Sequence, residues 1–500
     1  MADLLTAPLW RAEDLGRPLP DSLHACSVCL PTWGSVVGYE EADPEVTSRM
    51  RAGYPRFFCH PHVVSLFARA AEKLGAPGQK ALVSPTPAAA QTAADYILRG
   101  SEIEGVAVRR LGDGSGTAAT IFDAPGEKAA RLYWRFSGQI VSSRLAEAIL
   151  NEWSPAQFAE TEAEGEAARQ RIRERLAAIA GQPAANIFLF SSGMAGVFAV
   201  QRAVTVARAG QHTAQLGFPY VDVLKVQEEF GAGVHFLPGV DGPFLAQLEA
   251  IAAAGPLAGV YTELPSNPLL ETTDLPRLAA MARAHDFPLI IDDTIATSVN
   301  VDLMPHADIV TTSLTKAFSG AGDVIAGAVT LNEASPWAAA LRASLAYYEK
   351  AAPLFGLDAV VLEKNSRDFT SRVQRMSATA RAVAEWLHTH PAISRVYYPS
   401  LQGRAEYDAL RRSPDSGYGM LLSFTLKDES ATPGFFDRWR VSKGPSLGAN
   451  FSLACPFTLL AHYTELEWAA SCGVSAHLIR FSAGLEEPDD LIARLQEALG

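Results

Sequence analysis

Five hundred residues exceed what one hydrophobic core usually serves, so the sequence predicts two or three domains. An apolar share of 48% with 19% charged residues describes a soluble globular chain, and a net charge of -13 offers nucleic acid no basic surface. The opening MADLLTAPLWRAEDLG has no basic segment followed by an apolar run, no apolar stretch reaches membrane-spanning length, and an odd count of five cysteines fits a reducing cytoplasm better than a disulfide scaffold.

In chain order, residues 1–65 are punctuated by Pro and Gly and read as an extended arm. Within it, Cys26 and Cys29 form a C-x-x-C with His24 just ahead. Zinc would need four ligands and no second pair of that spacing follows; a redox role would want a strand-to-helix setting. These cysteines therefore read as packed and unpaired, and no metal is expected. Residues 66–184 are rich in Ala and Arg, with helical stretches such as AARQRIRERLAAIAG, and their spacing suggests no chemistry. From about residue 185 short apolar runs alternate with helical ones. NIFLF, HTAQLG, VHFLP, LAGVYTEL, FPLIIDDT, ADIVTTS and IAGAVTLN read as strands, with helices in SSGMAGVFAVQRAVTVARAG, YVDVLKVQEEFG and DLPRLAAMARAHD. This succession predicts an α/β fold with a mainly parallel sheet flanked by helices. From about residue 356 a long helix (SRVQRMSATARAVAEWLHTH), hairpin-like pieces (GYGMLLSFTLKD) and a terminal amphipathic helix (PDDLIARLQEALG) read as a separate, smaller α+β domain.

In such sheets ligands bind beyond the carboxyl ends of the strands. Three features fall there. The FSSGMAG turn ends a strand and opens a helix, whose backbone N–H groups can hold a phosphate; alone, it resembles many other βα turns. The strand IIDDTIAT delivers Asp292 as the continuation of a buried run, where a carboxylate needs a cationic partner such as a pyridinium N–H; an exposed helix cap suits Asp293 better. TTSLTKAFSGAGD holds Lys316 between the hydroxyls of Ser313 and Thr315 and two glycines. A solvated loop lysine is the bland alternative. A lysine in a closed site loses its charge readily and forms a Schiff base with an aldehyde, while the hydroxyls can donate to phosphate. Phosphate cradle, pyridinium partner and amine together describe a site for pyridoxal 5′-phosphate (PLP).

SSGMAG, ELPSNPLL, IDDTIAT, SLTKAFSGAGDVIAGAV and IRFSAGLEEPDDLIARL resemble the signature segments of the Cys/Met-metabolism PLP enzymes of fold type I. SVCLPTWGSVVGYEE, GYPRFF and ACPFTLLAHYTELEW resemble the long, fungal-type branch of cystathionine γ-synthases, which carries extra residues between arm and cofactor domain. The resemblance is weakest over about residues 75–180. It implies an arm over 1–65 that reaches the neighbouring subunit, a large PLP-binding domain over 66–355 containing a seven-stranded-type sheet and the extra segment, and the α+β domain over 356–500. It makes Lys316 the Schiff-base lysine, Asp292 the partner of the ring nitrogen, and Tyr220 the ring-stacking tyrosine that shuttles protons. Gly193 and Met194 become backbone phosphate donors, with Ser313 and Thr315 as side-chain donors. Asn267 falls near the coenzyme's 3′-oxygen and the substrate carboxylate, Arg480 clamps that carboxylate, and Ser446 lies near the clamp. Tyr54 and Arg56 match a pair that reaches the phosphate of a neighbouring subunit, which implies an obligatory homodimer or homotetramer with shared sites. Two features depart from the family pattern. Phe451 stands where a glutamate that bears on reaction choice is common, and YPRFFCHP has one residue more before its proline than usual.

The activity implied is γ-replacement on an O-acyl-L-homoserine, with cysteine or another thiol as nucleophile, on small amino-acid substrates alone. A β- or γ-lyase of the same family is the nearest alternative, and a non-catalytic relative is the alternative of another class. The acyl group and the nucleophile have no motif.

Overall fold

The computed structural model describes residues 3–500. The residues between arm and cofactor domain form a unit of their own: strands β1 (Lys80–Ser84), β2 (Val106–Arg110) and β3 (Ala118–Phe122) pair antiparallel in the order β1-β3-β2. The helices Pro61–Leu74, Pro87–Gly100 and Glu127–Ser137 bury their apolar faces against this sheet and its surroundings. This independent sheet was not foreseen from composition.

The central sheet contains β4 (Ile187–Phe190), β5 (Thr213–Leu216), β6 (Val234–Leu237), β7 (Gly259–Glu263), β8 (Leu289–Asp292), β9 (Ile309–Ser313) and β10 (Gly327–Leu331), in the order β4-β10-β9-β8-β7-β5-β6. All pairs are parallel except those of β10, which runs antiparallel to both β4 and β9. The apolar runs of β4 and β10 are buried along their whole length, as a sheet covered on both faces requires. Polar residues appear where β8 and β9 end, at Asp292 and at Thr312–Ser313.

Side-chain caps fix the helices that start at these strand ends. Ser192 accepts from the Ala195 N–H to open Gly193–Ala207, and Asp274 accepts from the Arg277 N–H to open Leu275–Ala284. The longest helix, Pro155–Ala180, starts with a Ser154/Gln157 capping box and stops at Gly181 in the left-handed region. It crosses Gly356–Asn365 so closely that a Cβ on Gly165 would overlap the Gly356 Cα.

The C-terminal domain is a five-stranded sheet: β11 (Ile393–Tyr397), β12 (Leu421–Leu426), β13 (Ser442–Lys443), β14 (Leu453–Pro456) and β15 (Ile479–Ser482), in the order β11-β12-β15-β14-β13. The stretch read as hairpin-like is β12, an interior strand between β11 and β15. The helices Phe369–Thr389 and Pro488–Leu499 match the sequence reading and cover this sheet. The arm is clamped to the same domain. Leu30 N–H donates to the Lys443 carbonyl, Lys443 N–H to that of Leu9, and Leu4, Leu9, Leu19 and Cys29 pack on Ala449, Phe451 and Leu453. Cys26 and Cys29 are free and buried.

Candidate active site

A cavity of about 550 Å³ opens beyond the carboxyl ends of β4, β7, β8 and β9, between the central sheet, the arm and the C-terminal domain. The strands carry its chemistry. Asp292 is the last residue of β8, and Ser313 the last of β9, with Lys316 three residues on. Gly193 and Met194 open the helix after β4, and Tyr220 immediately precedes the helix Val221–Phe230 after β5.

Lys316 is largely buried, with Nζ 3.1 Å from Ser446 Oγ and 4.3 Å from the centre of the Tyr54 ring. Burial, with the Arg480 and Arg56 cations adding to it, lowers its pKa to about 7. A reactive amine is therefore present near neutrality. The Asp292 carboxylate accepts from Thr294 N–H at 3.0 Å and Thr311 Oγ1 at 2.9 Å, and among the described residues it forms no ion pair. Burial pushes its pKa up to about 6 despite those two donors. Its cross-strand neighbour on β7 is Glu263, whose carboxyl is held far above its ordinary value by burial and by the charge of Asp292. Glu263 Oε1 accepts from the Tyr220 N–H at 2.5 Å and so fixes the tyrosine at the cavity wall. Burial raises the pKa of the Tyr220 phenol, which receives a hydrogen bond from Arg56.

On the opposite side, Arg480 reaches the cavity from β15. Its guanidinium is pinned by the Pro445 carbonyl at 2.8 Å and Asn267 Oδ1 at 3.3 Å, and lies 4.8 Å from the centre of the Phe457 ring. A guanidinium held this way keeps donors free for a carboxylate. Ser446 follows Pro445 directly, so one short loop touches both the lysine and the clamp.

The donor set fits PLP. Ser313 Oγ and Arg56 Nε are buried without hydrogen-bond partners among the described residues, and both groups line this cavity. Gly193 leaves the floor open, since a Cβ there would stand 3.0 Å from the Ser313 Cβ. An anion at the start of the helix Gly193–Ala207 would satisfy Ser313 Oγ, which stands against Gly193, and Arg56 Nε is a further free donor in the lining of the same cavity. Asp292 supplies the acceptor for a cationic ring nitrogen, and Lys316 the amine for an aldehyde.

Tyr54 and Arg56, the pair expected at a neighbouring subunit, line the cavity of their own chain in this structure. The inserted segment holds them in place: Trp134 Nε1 donates to the Pro55 carbonyl at 3.1 Å and Arg56 Nη1 to the Arg135 carbonyl at 2.6 Å. The Thr315 hydroxyl, expected beside that of Ser313, is buried and exchanges hydrogen bonds with the Ala326 backbone across the β9–β10 connection. Asp293 is a buried carboxylate bound by Ser298 and Thr312, not an exposed cap.

The structure also adds residues. Asp222, fully buried, sits between Arg56 and Arg135. Glu40, from the arm, reaches the cavity mouth and is pushed up to about 7 by burial. Glu263 stood in plain view ahead of PSNP, and Asp222 two residues after Tyr220. Nothing in the sequence around Arg135 points to a site. Phe451, by contrast, is buried against the arm and does not line the cavity.

Similarity to known proteins agrees with this geometry. A cystathionine gamma-synthase of Neurospora crassa is 32% identical over 97% of this chain and 98% of its own length. An L-2-amino-4-chloropent-4-enoate dechlorinase/desaturase of Streptantibioticus cattleyicolor is 34% identical over 96% of each chain. Among solved structures, the cystathionine gamma synthase of Xanthomonas oryzae pv. oryzae superposes with a TM-score of 0.59 at 26% identity, covering 66% of this chain and 85% of that one. Residues 162–500, which hold all of the strand-end chemistry, match one family throughout, and the chain accordingly belongs to the Cys/Met metabolism PLP-dependent enzymes.

Proposed function

We propose that the chain catalyses γ-replacement on an O-acyl-L-homoserine, joining its four-carbon unit to the sulfur of cysteine, with cystathionine as product, or to another thiol. The observation that carries this reading is the size and lining of the cavity. Besides the residues around Lys316 and Arg480, its lining includes Tyr39, Glu40, Lys225, Tyr463 and Glu465. Carboxylates and an ammonium group in that lining suit a second, zwitterionic amino acid, which a replacement needs and an elimination does not.

When bound, PLP supplies the electron sink that makes protons on the carbons next to the substrate nitrogen acidic. Arg480 holds the substrate carboxylate and so fixes the Cα–H bond relative to Lys316. The Lys316 amine, with a pKa near 7, is matched to take the Cα proton and return it later. Ser446 Oγ steadies Nζ on the side of the clamp, and the face of the Tyr54 ring covers the other. Tyr220, held protonated by burial, offers its phenol as a donor within the same cavity. Loss of a second proton from Cβ lets the acyloxy group leave Cγ, where the thiol then adds. Met194, Val197, Ile295 and Leu447 give the cavity apolar walls.

The test is product analysis with acetyl, succinyl and phosphoryl esters of homoserine, each with and without cysteine. Cystathionine formed only when cysteine is present supports replacement. Release of 2-oxobutanoate at the same rate with or without thiol assigns the chain to the lyases instead.

A further inference from the structure

Arg135 comes from the helix Glu127–Ser137, outside the residues that match the family, yet it enters the site. It contacts Asp222 Oδ1 through Nε at 3.0 Å and Nη2 at 2.9 Å. Arg56 Nη1 contacts Asp222 Oδ2 at 2.6 Å. One carboxylate, with no exposed surface, thus serves two guanidiniums, and this cluster of three side chains carries one net positive charge. The Arg135 guanidinium also lies 4.6 Å from the centre of the Phe57 ring, which fixes its position.

The location of that charge matters. Arg56 is 3% exposed, and its Nε has no partner among the described residues. Ser313 Oγ, in the same cavity, has none either. If Asp222 faced Arg56 alone, the two would cancel and the phosphate would meet a neutral pair. With Arg135 sharing the carboxylate, Arg56 keeps its attraction for a dianion.

We propose that Arg135 is a positioning residue for the cofactor phosphate: by sharing Asp222 it leaves Arg56 with uncompensated positive charge toward the phosphate site. The inserted segment thereby takes part in holding the coenzyme. This inference rests on PLP dependence and not on the reaction assigned above, so the two fail separately.

The test uses full-length apoprotein titrated with PLP and with pyridoxal, which lacks the phosphate. Arg135→Met should raise the PLP Kd about tenfold, while the pyridoxal Kd stays within about twofold. Arg135→Lys, which keeps the charge, should stay within about threefold of the parent for PLP. In the double variant Arg135→Met/Asp222→Asn the charge on Arg56 is free again, and PLP affinity should return to within about threefold. A merely structural role would weaken both ligands alike, and the double variant would be worse than the single. Either result overturns the proposal, as does an unchanged PLP Kd in Arg135→Met. Should the double variant fail to fold, the contrast between PLP and pyridoxal in Arg135→Met, set against Arg135→Lys, decides alone.

Discussion

Replacing Lys316 by methionine should make the coenzyme-free protein more stable at pH 6, not less. The amine's pKa falls from 10.5 to about 7, chiefly because its charge is desolvated. Holding that charge in place costs at most about 5 kcal/mol, less in practice because one side of the group faces the cavity. Against this stand the Ser446 contact, about 1–2 kcal/mol, and the Tyr54 ring, about 1 kcal/mol. The balance favours Lys316→Met by about 2 kcal/mol where the amine is charged in both states. The folded value lies below the unfolded one, so the unfolded chain binds the extra proton between them and the parent gains stability as pH rises from 7 towards 10.5. The slope is about 1.4 kcal/mol per pH unit. The advantage of Lys316→Met should therefore shrink above pH 7 and reverse between about pH 8 and 9. Urea unfolding of both apoproteins across this range measures it. A variant less stable at pH 6, or a difference independent of pH, would refute the account of Lys316 as a desolvated amine.

Three more outcomes are expected. Glu263→Gln should keep turnover within about threefold, because burial disfavours the charged form of the carboxyl it replaces and Oε1 still accepts from Tyr220, whereas Glu263→Ala should lose about tenfold or more by freeing that backbone; steady-state kinetics on the pair decides, and Gln as damaging as Ala would refute this account of the carboxyl. Arg480→Lys should raise KM for the amino-acid ester by about a hundredfold with a much smaller change in kcat, since a lysine cannot reproduce the fork pinned by Pro445 and Asn267. Gly165→Ala should destabilise by about 1–3 kcal/mol in thermal or urea unfolding, because the added Cβ would overlap the Gly356 backbone.

Strand-end logic made much of this site legible in the sequence. Gly193, Asp292, Ser313 and Lys316 sit where an α/β sheet places ligands, and their residue types state the chemistry; the family resemblance supplied Tyr220, Asn267, Ser446 and Arg480, which the fold brings to the same cavity. What the sequence hid depends on long-range packing. Thr315 has the same local pattern as Ser313, but the antiparallel return of β10 claims its hydroxyl. The in-chain seat of Tyr54 and Arg56 depends on Trp134 and Arg135, about eighty residues further on, in a stretch whose composition signals only helices. No local periodicity encodes that contact. The sheet β1-β3-β2 escaped for a similar reason: its strands are five residues each, and β2, half-buried to exposed, lacks the apolar run that marked the central strands.

The cations around Lys316 have a further consequence for its chemistry. Arg480 and Arg56 both act to drive the proton off its amine, second only to burial among the causes that lower its pKa. On the function proposed above, each also faces a place for an anion: the carboxylate of an amino acid at Arg480, a phosphate at Arg56. Once those anions are seated, the two guanidiniums are compensated and their push on Lys316 weakens, while burial remains. On that reading, the coenzyme's phosphate would compensate Arg56 as soon as the coenzyme is seated, and the substrate carboxylate would compensate Arg480 only afterwards. The push on Lys316 would then weaken in two steps while burial remains, leaving the amine more basic with substrate bound than in the empty site.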